Sequence, residues 1–138
     1  MIDIKKLAID LALRGKTAEN SFAFDVTPIP GEIEVLRITV EDKEELPIFV
    51  SVSDEQILCI AYLFKEKEIV EGKLAELNSN MLVTNITMPL SSFAKIDDQY
   101  VIYGALSVSS TLFDVIHELE VLSSNAVEAL EAMESYLK

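Results

Sequence analysis

A chain of 138 residues with half of its side chains apolar is expected to fold as a single domain spanning residues 1–138. Its net charge of −13 repels nucleic acid and anionic lipid at long range, so neither is an expected partner. No window approaches the ~18 uninterrupted apolar residues of a membrane span, so membrane insertion is not expected either.

At the N-terminus, Asp3 and Asp10 break up the apolar residues, and no signal peptide is expected. The only cysteine, Cys59, forms no disulfide within the chain, which suits a reducing compartment; a cytoplasmic location is expected. Residues 2–14 have Ile4, Leu7, Ala8 and Leu11 at helical spacing. Arg14 suits the C-terminal end of the helix dipole, and Gly15 suits the cap. Residues 16–21 read as a polar loop.

From Phe22 the period changes to two. Phe22, Phe24 and Val26 alternate with smaller or polar residues until Pro28-Ile29-Pro30-Gly31 breaks the run. A second strand is predicted over 32–40, where Ile33 and Val35 fall out of phase with Leu36, Ile38 and Val40. A bulge, or burial of both faces at one end, accounts for such a phase change. A charged turn at 41–45 leads to a third strand over 46–53, with Ile48, Val50 and Val52 on one face. Residues 56–64 are apolar at nearly every position, which predicts a central strand covered on both faces.

Helical period returns over 65–83, where Val70, Leu74, Leu77 and Met81 form the stripe and Gly72 weakens it. Residues 90–96 and 99–107 then read as a hairpin about Asp97-Asp98. Gly104 within it marks a bulge or a close backbone approach. Over residues 110–138, Leu112, Val115, Leu119, Leu122, Ala126, Leu130, Met133 and Leu137 line one face of a long helix. Thr111 and Asp114 have the capping-box spacing at its start. The predicted order is α-β-β-β-β-α-β-β-α. The predicted class is α+β, an antiparallel sheet meander flanked by N-terminal, middle and long C-terminal helices.

The chemistry-bearing residues are sparse. His117, the only histidine, lies three residues from Asp114 and beside Glu118. Such a cluster on one helix face could hold a weak divalent metal, or act in proton transfer or ligand sensing. It also suits a surface histidine among acids. Cys59 has no cationic neighbour in sequence to activate it and reads as a small core residue. Asp97-Asp98 and Glu44-Glu45 are paired acids of the kind found hydrated at turn tips. The serine pairs lack a nucleophile elbow, and the four glycines are too scattered to cradle a phosphate. No catalytic residue, metal or cofactor is expected, and the reading is non-enzymatic.

Residues 78–93 are different in kind, mixing Asn amides with Met81, Met88, Leu90 and Phe93. Methionine adapts to irregular contact surfaces, so Met81, Met88, Leu90 and Phe93, with His117, form a candidate protein-contact surface.

That stretch, with Tyr103-Gly104-Ala105-Leu106-Ser107 and His117-Glu118-Leu119-Glu120-Val121-Leu122, resembles the YjfI-like family of uncharacterised bacterial proteins. The resemblance implies a small cytoplasmic protein whose gene often neighbours one for a phage-shock-protein-A-like coiled-coil protein. A partner in a membrane-stress system is therefore implied. The element order is also similar to the type III secretion chaperone-like fold, with one strand more than its usual pattern. That similarity implies an acidic, often dimeric protein that binds segments of partner proteins. Together these readings predict an adaptor or chaperone-like protein, expected as a homodimer, with another protein as its partner.

Overall fold

The computed structural model describes residues 2–14 and 23–138. The predicted cap at Gly15, the loop 16–21 and the predicted strand start at Phe22 lie outside the described residues. The elements are α1 (Ile4–Arg14), β1 (Phe24–Ile29), β2 (Val35–Val40), β3 (Ile48–Val52), β4 (Ile57–Lys65), α2 (Leu74–Thr87), β5 (Ser92–Ile96), β6 (Gln99–Leu106) and α3 (Leu112–Ala132). This is the predicted order, and the class is α+β.

All six strands join one antiparallel sheet in the order β1-β2-β3-β4-β6-β5. Alternate side chains of a strand share a face, so the register fixes which residues can meet. One row runs across the whole sheet: Val26, Ile38, Ile48, Ala61, Ile102 and Phe93 are successive partners. The next row on that face is Pro28, Leu36, Val50, Cys59 and Gly104. The helices meet this sheet with α1 against β1, α3 across β2, β4 and β6, and α2 beside β5. Leu7 and Leu11 of α1, Leu77 and Met81 of α2, and Val115, Leu119, Leu122 and Ala126 of α3 are buried in one core. Each fully buried aliphatic side chain of that set stabilises the packing by roughly 1.5–3 kcal/mol.

Several local expectations are corrected. Pro28 does not end the first strand but lies within it, opposite Leu36. As β1 is an edge strand, the missing proline N–H costs no ladder hydrogen bond on its outer side. In β2, Leu36, Ile38 and Val40 are buried, whereas Ile33 precedes the strand and is exposed. The apparent phase change is therefore an exposed residue outside the strand, rather than a bulge or two-sided burial. β4 is interior but has one buried face. Leu58 and Ile60 are half-buried and Tyr62 is exposed on the other, where the Phe49 ring lies 5.4 Å from that of Tyr62.

Gly72 is not inside a helix. Its φ of +86° makes a left-handed turn before α2, and residues 66–68 form a separate 3-10 turn. The C-terminal helix stops at Ala132. Residues 134–136 form a 3-10 turn, and Leu137 bridges to Ile69. The Thr111–Asp114 capping box is formed, with Thr111 Oγ1 accepting from Asp114 N and Asp114 Oδ2 accepting from Thr111 N.

Candidate functional site

Neutral polar side chains secure the junction of α2, β5 and α3. The Tyr100 hydroxyl donates to Asn78 Oδ1 at 2.5 Å, joining β6 to α2. Phe93 N donates to Asn85 Oδ1 at 2.7 Å, and Asn85 Nδ2 donates to Phe93 O at 3.4 Å. One side-chain amide thus satisfies both backbone groups of a residue on the sheet edge, where no neighbouring strand does so. Asn125 of α3 donates to Pro89 O and Ser91 Oγ, both at 2.9 Å. Leu90 between these anchors holds a left-handed φ of +62°. A non-glycine residue in that conformation persists where its surroundings hold it.

Two open grooves flank Phe93. The first, about 290 Å³, lies between α2 and β5, with Met81, Leu82, Phe93 and Ala94 as its apolar lining. The second, about 280 Å³, lies between the end of α2 and α3. Met88, Pro89, Phe93, Ala129, Ala132 and Met133 line it, with Asn125 and Glu128 supplying polarity.

The structure brings Met81, Met88 and Phe93 together around these grooves. Met81 and Phe93 are nearly buried and form the floor, while Met88 is half-buried. Leu90 is exposed in the loop between the two anchors. His117 stands apart, in a shallow hollow with Glu120, Val121, Ser124 and Asn125. Asn125 connects that hollow to the second groove. Leu82, Val83 and Ile86 were missing from the candidate surface, yet they are 70%, 66% and 85% exposed on α2. The available signal was the absence of any charged residue from 77 to 94 in a chain this acidic.

The acidic cluster around His117 is dispersed. Asp114 is occupied by the capping box, and the exposed His117 ring lies parallel to that of Phe113. Glu118 faces the core at 3% exposure, over the one position in its sheet row without a Cβ. A Cβ built on Gly104 would fall 1.6 Å from Glu118 Oε1, so the glycine is a close-approach site and not a bulge. Burial pushes the Glu118 carboxyl above its usual range, opposed by the nearby His117. Burial also raises the Cys59 thiol, with the Glu118 charge adding to it, so the thiol is poorly ionised. No group of three or more His, Cys, Asp or Glu residues is placed to hold a metal ion among the described residues. Among them, no helix is long and apolar enough to cross a membrane.

Comparison with known proteins agrees with this architecture. YjfI of Escherichia coli (strain K12) is 28% identical over 134 residues, covering 94% of this chain and 95% of its own, and YjfI of Escherichia coli O157:H7 matches equally. Among solved structures, Escherichia coli YbjN superposes with a TM-score of 0.61 at 15% identity, covering 94% of this chain and 90% of that one. A chain of the ExsC–ExsE complex superposes with a TM-score of 0.52 at 16% identity, covering 89% and 87%. These two likenesses share the fold. The family described as "Uncharacterized protein conserved in bacteria" (DUF2170) matches residues 1–137, and the chain belongs to it.

Proposed function

We propose that this chain is a non-enzymatic, chaperone-like adaptor that works as a homodimer and holds a segment of another protein in the groove between α2 and α3. The observation that carries the reading is the groove itself: methionine, phenylalanine and alanine surfaces beside exposed Glu128 on an acidic chain. Such a site suits apolar anchors flanked by Lys or Arg, because apolar contacts supply affinity while charge steers the encounter. The fold likeness to a chain solved within a protein–protein complex supports the same reading. A coiled-coil protein of a membrane-stress system is the partner class suggested by the family resemblance, and an amphipathic helix has the anchors required.

The test begins with capture of partners from the native host by the tagged protein, identified by mass spectrometry. The recombinant partner is then titrated against wild type and Ala132→Lys. Ala132 is exposed and lines the groove, so this change sets a bulky cation against the partner's apolar anchors and basic flanks without opening the core. Affinity is expected to fall about tenfold or more, roughly 1.4 kcal/mol. No stoichiometric partner, or equal binding by Ala132→Lys, would sink the reading.

A further inference from the structure

Glu118 is a buried acid without a donor. It is 3% exposed, and its Oε1 has no hydrogen-bond partner among the described residues. The carboxyl fills the space over Gly104, where a Cβ would lie 1.6 Å from Glu118 Oε1 and 3.3 Å from the Leu90 carbonyl oxygen. The two oxygens thus border one small space, and Leu90 O accepts no hydrogen bond among the described residues either. A buried carboxylate left facing a second acceptor is costly. One proton removes the conflict, because a neutral carboxyl has an O–H for the carbonyl to accept.

We infer that Glu118 is held as the neutral acid and donates to Leu90 O, so that one proton clamps the loop 89–91 to α3. Asn125, further along the same side of α3, already holds that loop on both sides of Leu90, through Pro89 O and Ser91 Oγ. Between these anchors Leu90 keeps its left-handed φ of +62°, a conformation that relaxes when its surroundings let go. The Glu118 bond is a third hold, placed at the strained residue itself, and it alone of the three depends on a proton.

The elements packed around Glu118 bring no cation into its seat. β4 offers the Cys59 thiol, whose ionisation the Glu118 charge opposes. β6 offers Gly104, and residues 77–94, which include the loop, carry no ionisable side chain. β2 turns Leu36 and Ile38 inward and leaves Arg37 exposed on its other face. Asp3, Lys6 and Asp10 border Leu112, more than a turn earlier on α3. Only the exposed His117 works against burial, and burial prevails. As pH rises through the raised carboxyl value, the O–H gives its proton to solvent. The carboxylate and the carbonyl then repel, and the clamp opens. Pro89 and Met88 line the groove between α2 and α3, so an open clamp loosens one wall of that groove. Only this last consequence rests on the adaptor reading.

The experiment uses the whole chain without a partner. Infrared difference spectra of wild type against Glu118→Gln at about pH 7, well above the ordinary glutamate value, should show a protonated-acid carbonyl stretch that the variant lacks. The chain has no tryptophan, so Leu90→Trp puts a single reporter on the loop, at a side chain already 57% exposed. Acrylamide quenching of that tryptophan should rise between about pH 5 and pH 9. It should stay flat once Glu118→Gln is added, because glutamine keeps a donor at the carbonyl at every pH. Ser91 N, bonded to Pro89 O at 2.7 Å, gives the same reading without a reporter. Its amide-exchange protection, corrected for intrinsic rates, should be lost with rising pH in wild type and kept in Glu118→Gln. No protonated-acid band at pH 7, or a loop response to pH that is absent or equal in the two proteins, would overturn the inference. Neither readout involves a partner, so failure here leaves the adaptor reading to the Ala132→Lys titration, and failure there leaves the clamp standing.

Discussion

Replacing Gly104 by alanine should destabilise the protein in one background and not in another. The added methyl would lie 1.6 Å from Glu118 Oε1, 2.8 Å from its Cδ and 3.3 Å from the Leu90 carbonyl oxygen. The carboxyl has to leave its seat, and overpacking of this kind typically costs about 1–3 kcal/mol. Against this, Gly104 does not have a positive φ, so alanine restricts the unfolded chain and returns about 0.4–1 kcal/mol. The net loss is therefore between about 0 and 2.6 kcal/mol and centred near about 1.3 kcal/mol, or roughly 4–5 °C in Tm at that centre for a chain of this size. In a Glu118→Ala background only the 3.3 Å contact with the Leu90 carbonyl oxygen remains, and Gly104→Ala should become close to neutral, its return of about 0.4–1 kcal/mol offsetting that contact. Urea denaturation of the four proteins, followed by circular dichroism, gives the coupling as a double-mutant cycle. An equal cost of Gly104→Ala in both backgrounds would refute the steric account.

Two further outcomes follow from the same region. The Glu118 carboxyl has its pKa raised by burial, so its contribution to stability is fully present below the unfolded-state value and lost as pH rises through the folded one. Glu118→Gln should therefore gain on wild type as pH rises from about 4 towards 8, and parallel pH profiles of Tm would exclude that linkage. Asn85→Ala removes both side-chain partners of Phe93's backbone and should cost about 1–2 kcal/mol. It should also speed amide hydrogen exchange at Phe93, and unchanged exchange there would mean that Asn85 does not guard the sheet edge.

The sequence made the period of each element readable but not which neighbours it meets. Alternation over Leu36, Ile38 and Val40 identified a buried face correctly, because one packed face suffices to impose it. The nearly continuous apolar run in β4 misled because Leu58, Ile60 and Tyr62 lie on the face opposite the buried core, among other sheet side chains. Such a run looks the same whether a second layer or neighbouring side chains provide the cover. The insertion of β6 between β4 and β5 leaves no local trace, since it depends on pairings such as Cys59 with Gly104. At the site, Met81 and Phe93 stood out by chemistry but serve mainly as groove floor. Asn85 and Asn125 passed as ordinary polar residues because their partners are distant in sequence. The charge-free stretch was legible throughout, and what it exposes required α2 to be seen from outside.

The position of β6 also governs how this protein can be made. A ribosome delivers residues 57–65 first, then 92–96, and only afterwards the strand that belongs between them. Until residues 99–106 emerge, β4 has an open edge and β5 has no partner. β4 can pair with β3 as soon as it emerges, but its second edge and the whole of β5 wait for β6, so this half of the sheet cannot form in step with synthesis. The nascent polypeptide meanwhile displays Ile57, Ala61 and Phe93, all destined for the interior. Dense negative charge elsewhere on the chain opposes aggregation during that interval, a service to the immature molecule.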